Sequence, residues 1–160
     1  MKTIFIAVLL CITASAYAQD PLELMRKDLQ TNKVAIITAS IPLTEKQGEE
    51  FWPIYREYNN ELSKLGDRRI AVLKKFAAGY DSLNNKQAHE LVKESISIAQ
   101  DRTNLLEKTY KKVAKVVGEV TAARFLQVEN QMLTLVDAQI VSQVPLVKVP
   151  KELSQEPANK

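Results

Sequence analysis

Few side chains in this sequence are suited to chemistry, and their spacing does not gather them. His89 is the lone histidine of the 160 residues, with Glu90 and Glu94 as its helical neighbours. A metal centre needs several convergent ligands, so a solvent-facing histidine is expected rather than a ligand. Ser95 and Ser97 have no base near them except His89, and a nucleophilic serine needs an oriented base. Cys11 is the single cysteine. It lies in a segment read below as a cleaved leader, so the remaining chain has no thiolate for a nucleophile, a disulfide or a metal. The four glycines stand apart at 48, 66, 79 and 118 and build no phosphate-cradling loop. These residues predict no catalytic site, no metal site and no cofactor; a non-enzymatic protein is expected.

Two arginines interrupt apolar helical seams. Arg69 continues the Leu62 and Leu65 series, and Arg102 lies between Ile98 and Leu105. If the two helices form an antiparallel hairpin turning near residues 81 and 82, facing residue numbers sum to about 163 at equal rise. That register sets Arg69 near Glu94 and Arg102 near Glu61. Both are expected as structural ion pairs that fix the hairpin, because a seam cation without a partner is costly. The functional alternative is contact with an anion or a client. Glu129 interrupts a third seam and is expected to be a satisfied core carboxylate lying toward Lys108 or Tyr110.

The elements that position these groups are helices. Glycine is scarce and strand-like alternation is absent, which predicts an all-α domain. Asp20-Pro21 opens a first helix over about 22–39, with Leu22, Met25, Leu29, Val34, Ile37 and Ile41 near one face. Ser40-Ile41-Pro42 ends it. Leu43-Thr44-Glu45-Lys46-Gln47 then starts a long second helix that runs to about Ala78. Thr44 and Gln47 have the spacing of a reciprocal capping box. Pro53 lies beyond the first turn, frees the carbonyl of Glu49 and predicts a kink. Gly79 is expected to take a left-handed stop. Leu83-Asn84-Asn85-Lys86-Gln87 repeats the start signal and opens a third helix over about 85–117. Its seam reads Ala88, Leu91, Val92, Ile98, Ala99, Leu105, Leu106, Val113 and Val117, and the short link predicts an antiparallel hairpin. Gly118 separates it from a fourth helix, with Thr121 as its cap and an end near Gln143. The remainder, 144–160, is expected to be an extended or disordered tail.

Phe51, Trp52, Tyr55 and Tyr58 crowd the start of the second helix. They have two readings. One is core that closes the end of the bundle. The other is a partly exposed apolar surface for clients or a dimer partner, with the exposure of Trp52 as the discriminator.

Residues 1–18 have the form of an export signal: Lys2, an apolar run from Ile4 to Ile12, and Ala16-Tyr17-Ala18 as the cleavage site. The uncharged run is short for a membrane span, and Leu10 before Cys11 argues against a lipoprotein. Cleavage would leave one domain over 19–143 plus the tail, with a net charge one unit below the +3 of the whole chain. Near-balanced, mixed charge offers no nucleic-acid surface, and no second run is long enough to cross a bilayer.

An exported helical chain with Leu43-Thr44-x-x-Gln47 opening its long second helix resembles the Spy/CpxP family of periplasmic stress proteins, which carry an LTxxQ motif. The order of a short helix, a long hairpin and a last helix also fits. The family's second motif, which opens the last helix, is replaced here by Val120-Thr121-Ala122-Ala123-Arg124, so the chain resembles a divergent branch. The resemblance implies a periplasmic, ATP-independent, chaperone-like homodimer. It would shield apolar segments of unfolded or misfolded envelope proteins, or modulate a stress-sensor domain. Some relatives bind or sense heavy metals, which makes a periplasmic metal-responsive protein the alternative. The histidine-rich and methionine-rich features of that branch are absent.

Overall fold

The computed structural model describes residues 32–149. The expected leader, the part of the first helix before residue 32 and the tail beyond residue 149 lie outside the described residues. Four helices and no strand are found among those described: α1 over residues 32–40, then α2 (Glu45–Gly79), α3 (Asn85–Val117) and α4 (Glu119–Val141). None is long and apolar enough to cross a membrane.

Both predicted capping boxes form. Gln47 N–H donates to Thr44 Oγ1 at 3.3 Å, and Thr44 N–H donates to Gln47 Oε1 at 3.0 Å. Asn84 and Gln87 make the same exchange at 2.9 and 3.0 Å. Each exchange satisfies two N–H groups that a helix start leaves without intrahelical acceptors. Pro53 does not break α2, which is helical from residue 45 to residue 79.

α2 and α3 are joined by the short turn at residues 80–84 and pack along each other as an antiparallel hairpin. α4 folds back along α3. The well-buried core lies at the end away from that turn, where α1, the start of α2, the end of α3 and the start of α4 converge. Ile37, Phe51, Tyr55, Tyr58, Val113 and Phe125 are its largest fully buried apolar members. Phe125 stands near-perpendicular to Phe51, Tyr55 and Tyr58 at centroid distances of 5.8 to 6.2 Å, a favoured aromatic geometry. Toward the turn the seams of α2 and α3 are half-buried.

Several local expectations are corrected. Val34 and Val92 are 48% and 57% exposed, and Ala99 is exposed as well; the faces of α1 and α3 are narrower than an all-apolar reading made them. Among the described residues Gly118 alone has positive φ, at 82°. Gly79 remains the last residue of α2 and is not left-handed. Thr121 caps nothing: α4 begins at Glu119 directly after Gly118, without a side-chain cap.

Residues 144–149 carry no helix. They return to the hairpin turn, where the Tyr80 hydroxyl donates to the carbonyl of Leu146 at 3.2 Å. Lys148 pairs with Asp81 and lies over the Tyr80 ring at 4.6 Å.

Candidate functional site

The aromatic stretch divides between the two roles held open for it. Phe51, Tyr55 and Tyr58 are buried, at 0%, 1% and 1% exposure. Trp52 is half-buried, and its ring meets Phe51 and Tyr55 edge-on at 5.1 and 5.8 Å. Its other side lines an open cleft of about 710 Å³ with Ile41, Pro42, Leu43, Gly48 and Pro53. The capping box shapes this cleft. By fixing where α2 begins, Thr44 and Gln47 hold Leu43 against the core and bring the α1–α2 link beside the indole. Gly48 lies beside the indole, where a Cβ would meet the Trp52 ring at 3.8 Å, an ordinary van der Waals contact.

Behind the aromatic layer is a polar knot that the sequence showed only in part. Glu129 is fully buried, as expected, but its partners are not Lys108 or Tyr110. Tyr55 donates to Oε1 at 3.0 Å, and Tyr58 and Lys33 donate to Oε2 at 2.9 and 3.0 Å. Lys33 also donates to Asn59 at 3.0 Å. Burial, reinforced by the Glu129 charge, raises the pKa of both tyrosine hydroxyls well above the usual value, so they stay protonated as donors. No buried side-chain nitrogen or oxygen among the described residues lacks a partner. Lys33 was missed in sequence. It precedes Ile37 and Ile41 at helical spacing, and a cation in that series was the available signal.

The ion-pair register is corrected. Arg69 pairs with Asp137 of α4 and not with Glu94. Arg102 pairs with the same Asp137, at 2.9 Å, and not with Glu61. Glu61 meets Lys64 one turn along α2, at 2.6 Å. Glu94 is taken by Arg68, which also holds Asp101. Glu94 thus faces Arg68, one residue before the expected Arg69. The α2–α3 register is tied by Arg68 and by Lys112 with Glu57, whereas the seam arginines face a third helix that a two-helix argument omits. Burial would push the Asp137 carboxyl up, but hydrogen bonds from Arg102 and Arg69 outweigh it and hold the group below its ordinary value.

His89 is exposed on α3. Among the described residues no cluster of three or more histidine, cysteine, aspartate or glutamate side chains is placed to hold a metal ion. The geometry supplies recesses and fixed charges, which suit binding. Compared with protein-family models, curated proteins and solved structures, the chain matches none.

Proposed function

We propose that this chain is an exported periplasmic protein that acts by binding. It holds exposed apolar segments of envelope proteins without nucleotide, in the manner of the Spy/CpxP proteins that its LTxxQ segment resembles. The observation that carries the reading is Trp52. Its half-buried ring lines an open cleft whose apolar members are flanked by Glu45, Glu49 and Arg56 and whose size is that of a ligand pocket, about 300–1,000 Å³. Tryptophan is a preferred anchor in recognition surfaces because it combines a large apolar face with one polar N–H. Further apolar side chains on the hairpin and on α4, among them Ile96 and Leu135, stand exposed at 53% and 70%. They do not line the Trp52 cleft and offer separate apolar points on the surface.

The test is suppression of aggregation of a chemically denatured client at neutral pH without nucleotide. Stoichiometric protein is expected to suppress light scattering, and Trp52→Ala to lose most of that effect while keeping its helical circular dichroism. In the unmodified protein, Trp52 emission is expected to shift to the blue on client binding. Full scattering in the presence of protein, or an unmoved emission spectrum, removes the proposal.

A further inference from the structure

A second recess lies away from Trp52, between α2 and α4 with α3 as its floor. Its walls are almost wholly apolar: Leu62, Leu65 and Leu73 from α2 face Met132, Val136 and Ile140 from α4. It is a slot of about 230 Å³. From Asn59 to Leu73, two residues that border it, α2 rises about 21 Å. A helix with side chains is about 10–12 Å across, wider than a slot of about 230 Å³ drawn out over this length encloses. A single hydrocarbon chain is the shape that fits.

The charge within the slot is unbalanced. Among the described residues its charged lining is Lys33, Arg69, Arg102 and Asp137. Lys33 is neutralised by Glu129, which lies behind it. Arg69 and Arg102 share the single carboxylate of Asp137. Arg102 holds both its oxygens, at 3.0 and 2.9 Å, while Arg69 meets Oδ1 through Nη1 alone. Their side chains are 29% and 33% exposed, so neither is sealed from a ligand. Among the described lining residues one positive charge is left over, in a mostly apolar wall whose uncharged polar members are Asn32, Asn59 and Ser63. A guanidinium fork recognises a carboxylate more strongly than a neutral oxygen does.

We propose that this slot binds a free long-chain carboxylate of the fatty-acid type. The hydrocarbon lies between α2 and α4, and the head group is held by Arg69 and Arg102 in competition with Asp137. The competition gives a sign that a merely greasy crevice would not produce. Removing Asp137 frees both forks, whereas removing an arginine takes a donor away.

The experiment titrates the purified full-length chain with dodecanoate, below its micellar concentration, by calorimetry. Dodecanol and an apolar peptide with a free C-terminus serve as comparison ligands. Dodecanoate is expected to bind one per chain and about tenfold more tightly than dodecanol, the difference between a charge-assisted and a neutral hydrogen bond. Asp137→Asn should tighten dodecanoate several-fold, and Arg102→Gln should weaken it toward the alcohol, with dodecanol unmoved in both. Leu65→Trp, which fills the slot while leaving the charges in place, should abolish binding of both. If Arg102→Gln fails to fold, the Asp137→Asn and Leu65→Trp results decide alone. Equal affinity for acid and alcohol, tighter binding of the peptide, or no binding because the chain's own residues or a second copy fill the slot would each overturn the proposal. The Trp52 assay reads a different recess, so either proposal can fail without the other.

Discussion

Lys33 of α1 donates to Glu129 of α4 at 3.0 Å, across 96 positions of sequence, and the pair is buried. It holds α1 against the aromatic core, with the Lys33 ammonium 5.8 and 5.3 Å from the Tyr55 and Tyr58 ring centroids. Removing one member of such a pair costs about 3–5 kcal/mol, because the other charge is left buried and unpaired. Lys33→Met should therefore lower unfolding stability by about that amount in urea. Lys33→Met with Glu129→Gln removes both charges and keeps an acceptor for the tyrosines, so it should be milder than Lys33→Met alone. A double variant as unstable as the sum of the two single changes would show that the pair is not coupled.

Gly118 has φ 82° and ψ 160° and separates α3 from α4 with no intervening loop. That backbone region is essentially reserved for glycine and costs other residues about 1–3 kcal/mol. A Cβ at this position would meet nothing within 4 Å, so the cost is backbone strain alone. Gly118→Ala should lower the melting temperature by several degrees, about 1–3 kcal/mol for a domain of this size. An unchanged melting temperature would contradict the angle.

Asp137 links stability to acidity. Its folded-state pKa lies below the ordinary 3.8, through Arg102 and Arg69 acting against burial. A depressed carboxylate contributes stability above its unfolded value, and that contribution is lost as pH falls through the folded value. The stability difference between the native chain and Asp137→Asn should be constant from about pH 5 to pH 8 and shrink below about pH 4. A difference that grows in acid would reverse the assignment. With side chains more than a quarter exposed, the pairing is screened by solvent and the difference should be modest.

What could be read from the chain alone was whatever depends on near neighbours. The helix class and both capping boxes rest on contacts three or four residues apart, so Thr44 with Gln47 and Asn84 with Gln87 were legible as spacing, and the α2–α3 hairpin was legible from the shortness of its link. That Glu129 is a core carboxylate was also legible, since one charged position in an apolar series is visible in one dimension.

Tertiary structure decided which groups meet. Lys33, Tyr55, Tyr58 and Glu129 come from three helices. Arg69 and Arg102 of α2 and α3 turn to Asp137 of α4 instead of to each other's helices. Local spacing fixes which face of a helix a residue occupies; it does not say which of several helices will cover that face. The same limit applies to the aromatic run. Helical periodicity separated Trp52 from Phe51, but only the path of the α1–α2 link placed one in the core and the other at an open cleft. Helix geometry is a property of the neighbouring backbone. The pairing of charges and the opening of recesses depend on how rods pack at long sequence separation.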